Sequence, residues 1–246
     1  MTMKLDWMRG CATALVTPFK ADGAIDEDRL RALVDRQITN GVRLLVPCGT
    51  TGESATMTEA EDQRVIAITV EVARDRARVI AGTGSNSTAA AIEYSQRARE
   101  LGADAMLQVA PWYNKPTQEG LYAHFRAIAE AVPETPIMLY NVPGRTSSNI
   151  AAKTVLRLAN DCDNIVAIKE ASGNLSQIME ILRERPANFR VLSGDDAVTL
   201  PLISLGGEGI VSVASNEIPD LMSRMTELAL EETGRRRARC TIAFCR

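Results

Sequence analysis

The feature that most constrains this chain is an eightfold alternation of short, apolar, β-rich runs with amphipathic helical stretches. The runs fall at Ala12–Val16, Arg43–Pro47, Arg78–Ala81, Ala105–Ala110, Ile137–Asn141, Ile165–Lys169, Arg190–Ser193 and Gly209–Val213. Strands joined by helix-length crossovers pair in parallel, and such a sheet needs helices over its faces. Eight units in 246 residues match the roughly 250 residues of a (β/α)8 TIM barrel. The competing architecture is a doubly wound open sheet. Its glycine-rich turn after the first strand is missing, because Thr17-Pro18-Phe19 stands there. The pattern therefore predicts an α/β protein of the (β/α)8 TIM-barrel type, with one barrel domain over residues 1–231. An atypical Arg-rich segment, 232–246, follows and is expected to be a disordered tail.

Local signals place the helices. Leu30, Leu33, Val34 and Ile38 share one helical face. Thr58 and Glu61 read as a capping box, and Asn149, Asn174 and Asn216 as helix starts. Gly41, Gly102 and Gly206 sit where helices end.

Composition narrows the chemistry. There is one histidine, His124, inside the amphipathic stretch Gln118–Ala131, where it reads as structural or surface. A histidine-based zinc site and a Ser-His-Asp triad are thereby disfavoured. The chemistry is expected to come from Lys, Tyr, Thr, Asp, Glu or Arg side chains. The net charge of −3 predicts no nucleic-acid footprint. No apolar run reaches the roughly 18 residues of a membrane span, and Met1 to Gly10 lacks a secretory pattern. Five scattered cysteines (Cys11, Cys48, Cys162, Cys240 and Cys245) read as thiols of a reduced, cytoplasmic protein.

In this fold the active site gathers at the C-terminal ends of the strands. Lys169 stands out there. It closes the apolar run Ile165 to Ile168, and only five lysines occur against 23 arginines. One reading is a structural ion pair with Glu170 or Glu53. The other is a desolvated amine with a lowered pKa, free to attack a carbonyl. Tyr140 ends the preceding strand, where it is either a core aromatic or a proton relay. Thr50 and Thr51, flanked by glycines, offer hydroxyls and N–H groups to a carboxylate, although an ordinary tight turn reads the same way. Arg145, after a Pro-Gly pair, suits bidentate carboxylate binding or is a surface arginine.

Five motifs in register then resemble the dihydrodipicolinate synthase family of pyruvate-dependent class I aldolases. They are Gly49-Thr-Thr-Gly-Glu-Ser54, Gly82-Thr-Gly-Ser-Asn86, Tyr140-Asn-Val-Pro-Gly-Arg-Thr146, Ile168-Lys-Glu-Ala-Ser-Gly-Asn174 and Leu192-Ser-Gly-Asp-Asp196. The resemblance implies condensation of pyruvate with aspartate 4-semialdehyde on the way to diaminopimelate and lysine, with no metal or organic cofactor. It implies a Schiff base on Lys169 and a proton relay of Tyr140, Thr50 and Tyr113, with Tyr113 reaching a neighbouring subunit of a homo-oligomer, a tetramer in the family. It places the pyruvate carboxylate on Thr50 and Thr51, the semialdehyde carboxylate on Arg145, and Gly194 and Val211 in the pocket wall.

The related N-acetylneuraminate lyases usually carry Ser-Thr-Gly-Glu at the first turn and lack the arginine after Tyr-Asn-Val-Pro. Another keto-acid or sugar-acid aldolase, or a poorly active paralogue serving as a binding protein, are the alternatives. Two departures accompany the resemblance. Feedback lysine in the family binds near the positions of Ser54, Ala55, Glu59, Asn86, Ala90 and Trp112. Glu59 and Ala90 differ from the usual partners, so weak or absent lysine inhibition is expected. The family's C-terminal helical extension is largely missing, a pattern that resembles a truncation or a changed reading frame.

Overall fold

The protein, a computed structural model, is described over residues 5–244, with side-chain surroundings over 5–233. Eight strands close into one parallel barrel in sequence order. They are β1 (Gly10–Ala14), β2 (Leu44–Val46), β3 (Arg78–Gly82), β4 (Ala105–Val109), β5 (Ile137–Asn141), β6 (Ile165–Glu170), β7 (Arg190–Ser193) and β8 (Gly209–Ser212). The first run is displaced from its expected place. The strand begins at Gly10, which pairs with Gly209, and it ends before Val16, whose N–H is taken by the Asn216 side chain. Among the described residues no helix is long and apolar enough to cross a membrane.

Two apolar layers follow from the pleat, since alternate strand residues face opposite ways. The inner layer includes Ala12, Val46, Ile80, Leu107, Met138, Leu192 and Val211. Leu5 and Met8 join it and plug the barrel from the N-terminal side. The outer layer packs strand residues such as Leu45, Leu139 and Ile168 against Leu30, Val34, Val65, Phe125 and Val155 of the helices.

The helices start and stop largely on local chemistry. In α1 (Glu27–Thr39) Leu30, Val34 and Ile38 are buried. The helix α2 (Glu59–Ala73) opens on the reciprocal capping box of Thr58 and Glu61. Side chains of Ser87 and Thr117 cap α3 (Thr88–Glu100) and α4 (Gln118–Ala131). A short α5 (Pro143–Thr146) precedes α6 (Ala152–Asp161). Asn174 caps α7 (Leu175–Glu184), as expected. Gly41, Gly102 and Gly206 adopt positive φ just past α1, α3 and α8 (Thr199–Leu205).

Asn149 and Asn216 do not cap helices. Asn149 bonds the Asn141 and Gln177 side chains instead, and Asn216 bonds the Ala14 carbonyl and the Val16 N–H at the C-terminal end of β1. The final helix α9 runs Pro219–Phe244. Backbone expected as a disordered tail from 232 is thus helical to 244. Arg, Ala, Leu and Glu are strong helix formers, and no proline follows Pro219 to stop them. Side chains from 234 onward, Cys240 among them, and residues 245–246 lie outside the description.

Candidate active site

The direction in which Lys169 points depends on an irregularity low in β6. Ile137 pairs with Ile165 but Met138 pairs with Ala167, so β6 carries one extra residue there. Val166 and Ala167 consequently both face the inner layer, and Ile168 faces the helices. Strict alternation from Val166 would have turned Lys169 outward. The bulge resets the parity, and Lys169 enters the barrel.

Its surroundings are dry. Lys169 is 5% exposed, and its pKa is lowered to about 8. Burial is the main cause; the Arg145 charge adds to it and the Asp196 carboxylate opposes it. The Asp196 carboxylate is fixed by the Ser212 hydroxyl at 2.6 Å and by the N–H groups of Val213 and Ala214, both at 3.1 Å. The structural alternative for Lys169 is not seen. Glu170 faces the opposite side, where Ser172 N–H, Asn141 and Gln177 hold it.

Tyr140 is the cross-strand neighbour of Lys169, and the amine lies 4.2 Å from its ring centroid. Burial raises the phenol pKa, opposed by a hydrogen bond with Thr50 and by the Arg145 charge. Gly194 lies against the lysine stem. A Cβ there would come within 2.9 Å of Lys169 Cε and 2.8 Å of Ala171 Cβ, so only glycine leaves the stem its path.

Tyr140, but not Lys169 behind it, lines a cavity of about 450 Å³. Thr50, Arg145, Ser54, Ala55 and Trp112 are among its other lining residues. The turn carrying Thr50 is strained at both ends, since Cys48 and Glu53 hold φ of 56° and 59°. Thr51 is half-buried in that turn, and Asn86 donates to the Trp112 carbonyl at 3.3 Å. Val211 lies in the inner layer with Tyr140.

Tyr113 stands apart. It is 89% exposed at φ 72° and does not line the cavity of its own chain. His124 is buried against Thr88 in the helical layer, with its pKa lowered to about 4 by burial.

Two residues of the site were given no role by the sequence reading. Asp196 was visible as half of an acidic pair ending a strand. Asp62 accepts from Ser54 at 2.8 Å and leaves its other oxygen unpartnered at the cavity wall. It sits in the first turn of α2 beside Glu59 and Glu61, where acidic residues are ordinary, so nothing set it apart.

A buried, desolvated lysine beside a buried phenol, with a guanidinium at the rim, can form an imine with a small keto acid. Comparison with known proteins agrees. Residues 7–239 match the model of the dihydrodipicolinate synthetase family. The chain is 54% identical over 220 residues to the 4-hydroxy-tetrahydrodipicolinate synthase of Chloroherpeton thalassium, covering 89% of this chain and 72% of that protein. It is 56% identical over 224 residues to that of Koribacter versatilis, covering 91% and 74%. The crystal structure of dihydrodipicolinate synthase from Aquifex aeolicus superimposes with a TM-score of 0.89 at 45% identity, covering 93% of this chain and 77% of that one. Fold, site and sequence together make this chain a member of the dihydrodipicolinate synthetase family.

Proposed function

We propose that the chain is a 4-hydroxy-tetrahydrodipicolinate synthase, a lyase of the class I aldolase type that condenses pyruvate with aspartate 4-semialdehyde. The observation that carries this is the dry Lys169 amine stacked beside Tyr140. With a pKa of about 8, about a tenth of the amine is neutral at pH 7, against fewer than about one in a thousand at the unperturbed value. The neutral amine attacks the pyruvate carbonyl carbon, and loss of water leaves an imine. Tyr140, in contact with Thr50, moves the protons of these steps. The enamine formed from the imine then adds to the semialdehyde, and cyclisation follows.

Thr50 and Thr51 hold the pyruvate carboxylate, Gly194 and Val211 shape the floor, and Arg145 takes the semialdehyde carboxylate. Tyr113, too exposed to serve its own cavity, completes the relay of a neighbouring copy in a homo-oligomer. The chain works in the cytoplasm and needs no added cofactor.

Borohydride added with pyruvate is expected to leave a reduced pyruvyl adduct on Lys169, located by peptide mass mapping. Because the protonated amine cannot attack, the trapping rate should rise with pH and level off above about 8. An adduct on another lysine, or none, would sink the assignment.

Arg145→Ala is expected to weaken use of the semialdehyde about 10- to 100-fold, the worth of a charge-assisted hydrogen bond. Pyruvate trapping survives, with its pH midpoint shifted upward because a nearby positive charge is gone. An unchanged semialdehyde rate points to a different aldehyde acceptor.

A further inference from the structure

Tyr140 and Lys169 react from neighbouring strands, so their relative position depends on how β5 and β6 are held together. Below the pair the register is broken by the extra residue of β6. Above it, one position on, Asn141 pairs with Glu170. Both are fully or almost fully buried, at 0% and 2% exposure, on the face turned away from the cavity. The Asn141 Nδ2 group donates to both Glu170 oxygens, at 3.2 and 3.3 Å. The remaining capacity of the carboxylate is taken by Ser172 N–H at 2.8 Å and Gln177 Nε2 at 3.2 Å. Asn141 Oδ1 accepts from Ile150 N–H at 3.0 Å. Asn149 closes the ring, accepting from Asn141 at 2.9 Å and donating to Gln177 at 2.9 Å.

Packing alone does not call for this arrangement. One step down, the same outward face carries Leu139 and Ile168, which fill the layer without burying a charge. A buried carboxylate met only by neutral donors is a poor source of stability. It does impose geometry, because each hydrogen bond is satisfied in one register only. The charges that shift the Lys169 amine are those of Asp196 and Arg145.

We propose that Asn141 and Glu170 form a cross-strand clamp that positions Tyr140 against Lys169 above the β6 bulge. They are positioning residues, each one residue along the chain from a reacting group and on the far face of the sheet. The inference rests on Lys169 and Tyr140 being the reacting pair.

The test follows from the donor pattern. Glu170→Gln puts an amide NH2 where only donors await it, and Gln177→Glu returns an acceptor to that spot. Pyruvate trapping on Lys169 would be timed across pyruvate concentration in wild type, E170Q and the double variant E170Q/Q177E. We expect E170Q to lose about tenfold or more in maximal rate, as misplacement of reacting groups by a fraction of an ångström does. The pyruvate concentration at half-maximal rate should change little. The double variant should regain most of the loss, which a merely destabilised fold would not show. A wild-type rate in E170Q overturns the clamp, and so does a double variant no faster than E170Q. If E170Q does not fold, Gln177→Ala removes one donor at the half-buried edge; slowing of the same kind supports the clamp and an unchanged rate overturns it. Absence of a Lys169 adduct in the wild type overturns the pyruvate reading itself and the clamp with it.

Discussion

Lys169→Met is expected to abolish pyruvate capture and, at the same time, to stabilise the fold by on the order of 3 kcal/mol at neutral pH. The two effects have one cause. The barrel holds the amine where water cannot solvate its charge, and this drives the pKa from 10.5 down to about 8. The unfolded chain, with the higher value, binds that proton more tightly than the folded chain does. Above about pH 10.5 the amine is neutral in both states, and its titration costs the fold nothing. As pH falls toward about 8 the unfolded state gains a proton that the folded state refuses, so stability declines. Below about 8 the penalty is present in full. Methionine fills a similar volume without a charge and removes it.

Urea unfolding of both proteins from pH 6 to 10.5 checks this. The advantage of the variant should be largest below pH 8 and shrink toward 10.5. An equal or lower stability of K169M at pH 7 would mean that the amine is not held at the expense of the fold. Such exchange of stability for reactivity is common where a site demands an unfavourable group.

The inward turn of Lys169 also marks the limit of what the sequence makes legible. The eight units, the capping box of Thr58 and Glu61 and the Asn174 cap could be read from the chain. They are set by neighbours within a few residues, through periodicity and unpaired helix ends. The bulge in β6 is set by a partner strand and cannot be counted from alternation. Alternation alone leaves open whether Lys169 or Glu170 faces the barrel interior, so a Lys169 turned outward into a structural ion pair was a fair alternative.

Asn149 and Asn216 were misread for a related reason. Their side chains serve contacts 8 to 28 and more than 200 residues away, and such partners leave no trace in local spacing. Thr50 and Arg145 were candidates by their place at strand ends, each with an ordinary structural reading beside it; motif resemblance gave them roles and added Gly194. The structure supplies reasons for them: Thr50 touches Tyr140, Arg145 lowers the Lys169 pKa, and Gly194 clears the lysine stem. For Tyr113 the fold supplies only its exposure.

Gly82→Ala is the second substitution with a large expected effect, and it acts at a distance from the lysine. Gly82 ends β3, and its N–H donates to the Pro47 carbonyl at 2.9 Å. This brings the chain so close to the next turn that an added Cβ would lie 2.1 Å from the Cys48 carbonyl oxygen and 2.5 Å from its carbon. Neither is the tip of a flexible side chain. Relief requires the backbone at Cys48 to move by about an ångström or more, and Cys48 is already held at φ 56°. Two residues on stands Thr50, the partner of Tyr140.

The variant should therefore lose about 1–3 kcal/mol of stability to overpacking and, in the fraction that remains folded, about 100-fold in pyruvate trapping rate through displacement of the Thr50 turn. Measuring the trapping rate well below the unfolding temperature separates the two losses. A folded G82A protein that captures pyruvate at the wild-type rate would show that the Thr50 turn can shift without disturbing proton transfer at Lys169, and Tyr140 would then have to manage those protons without it.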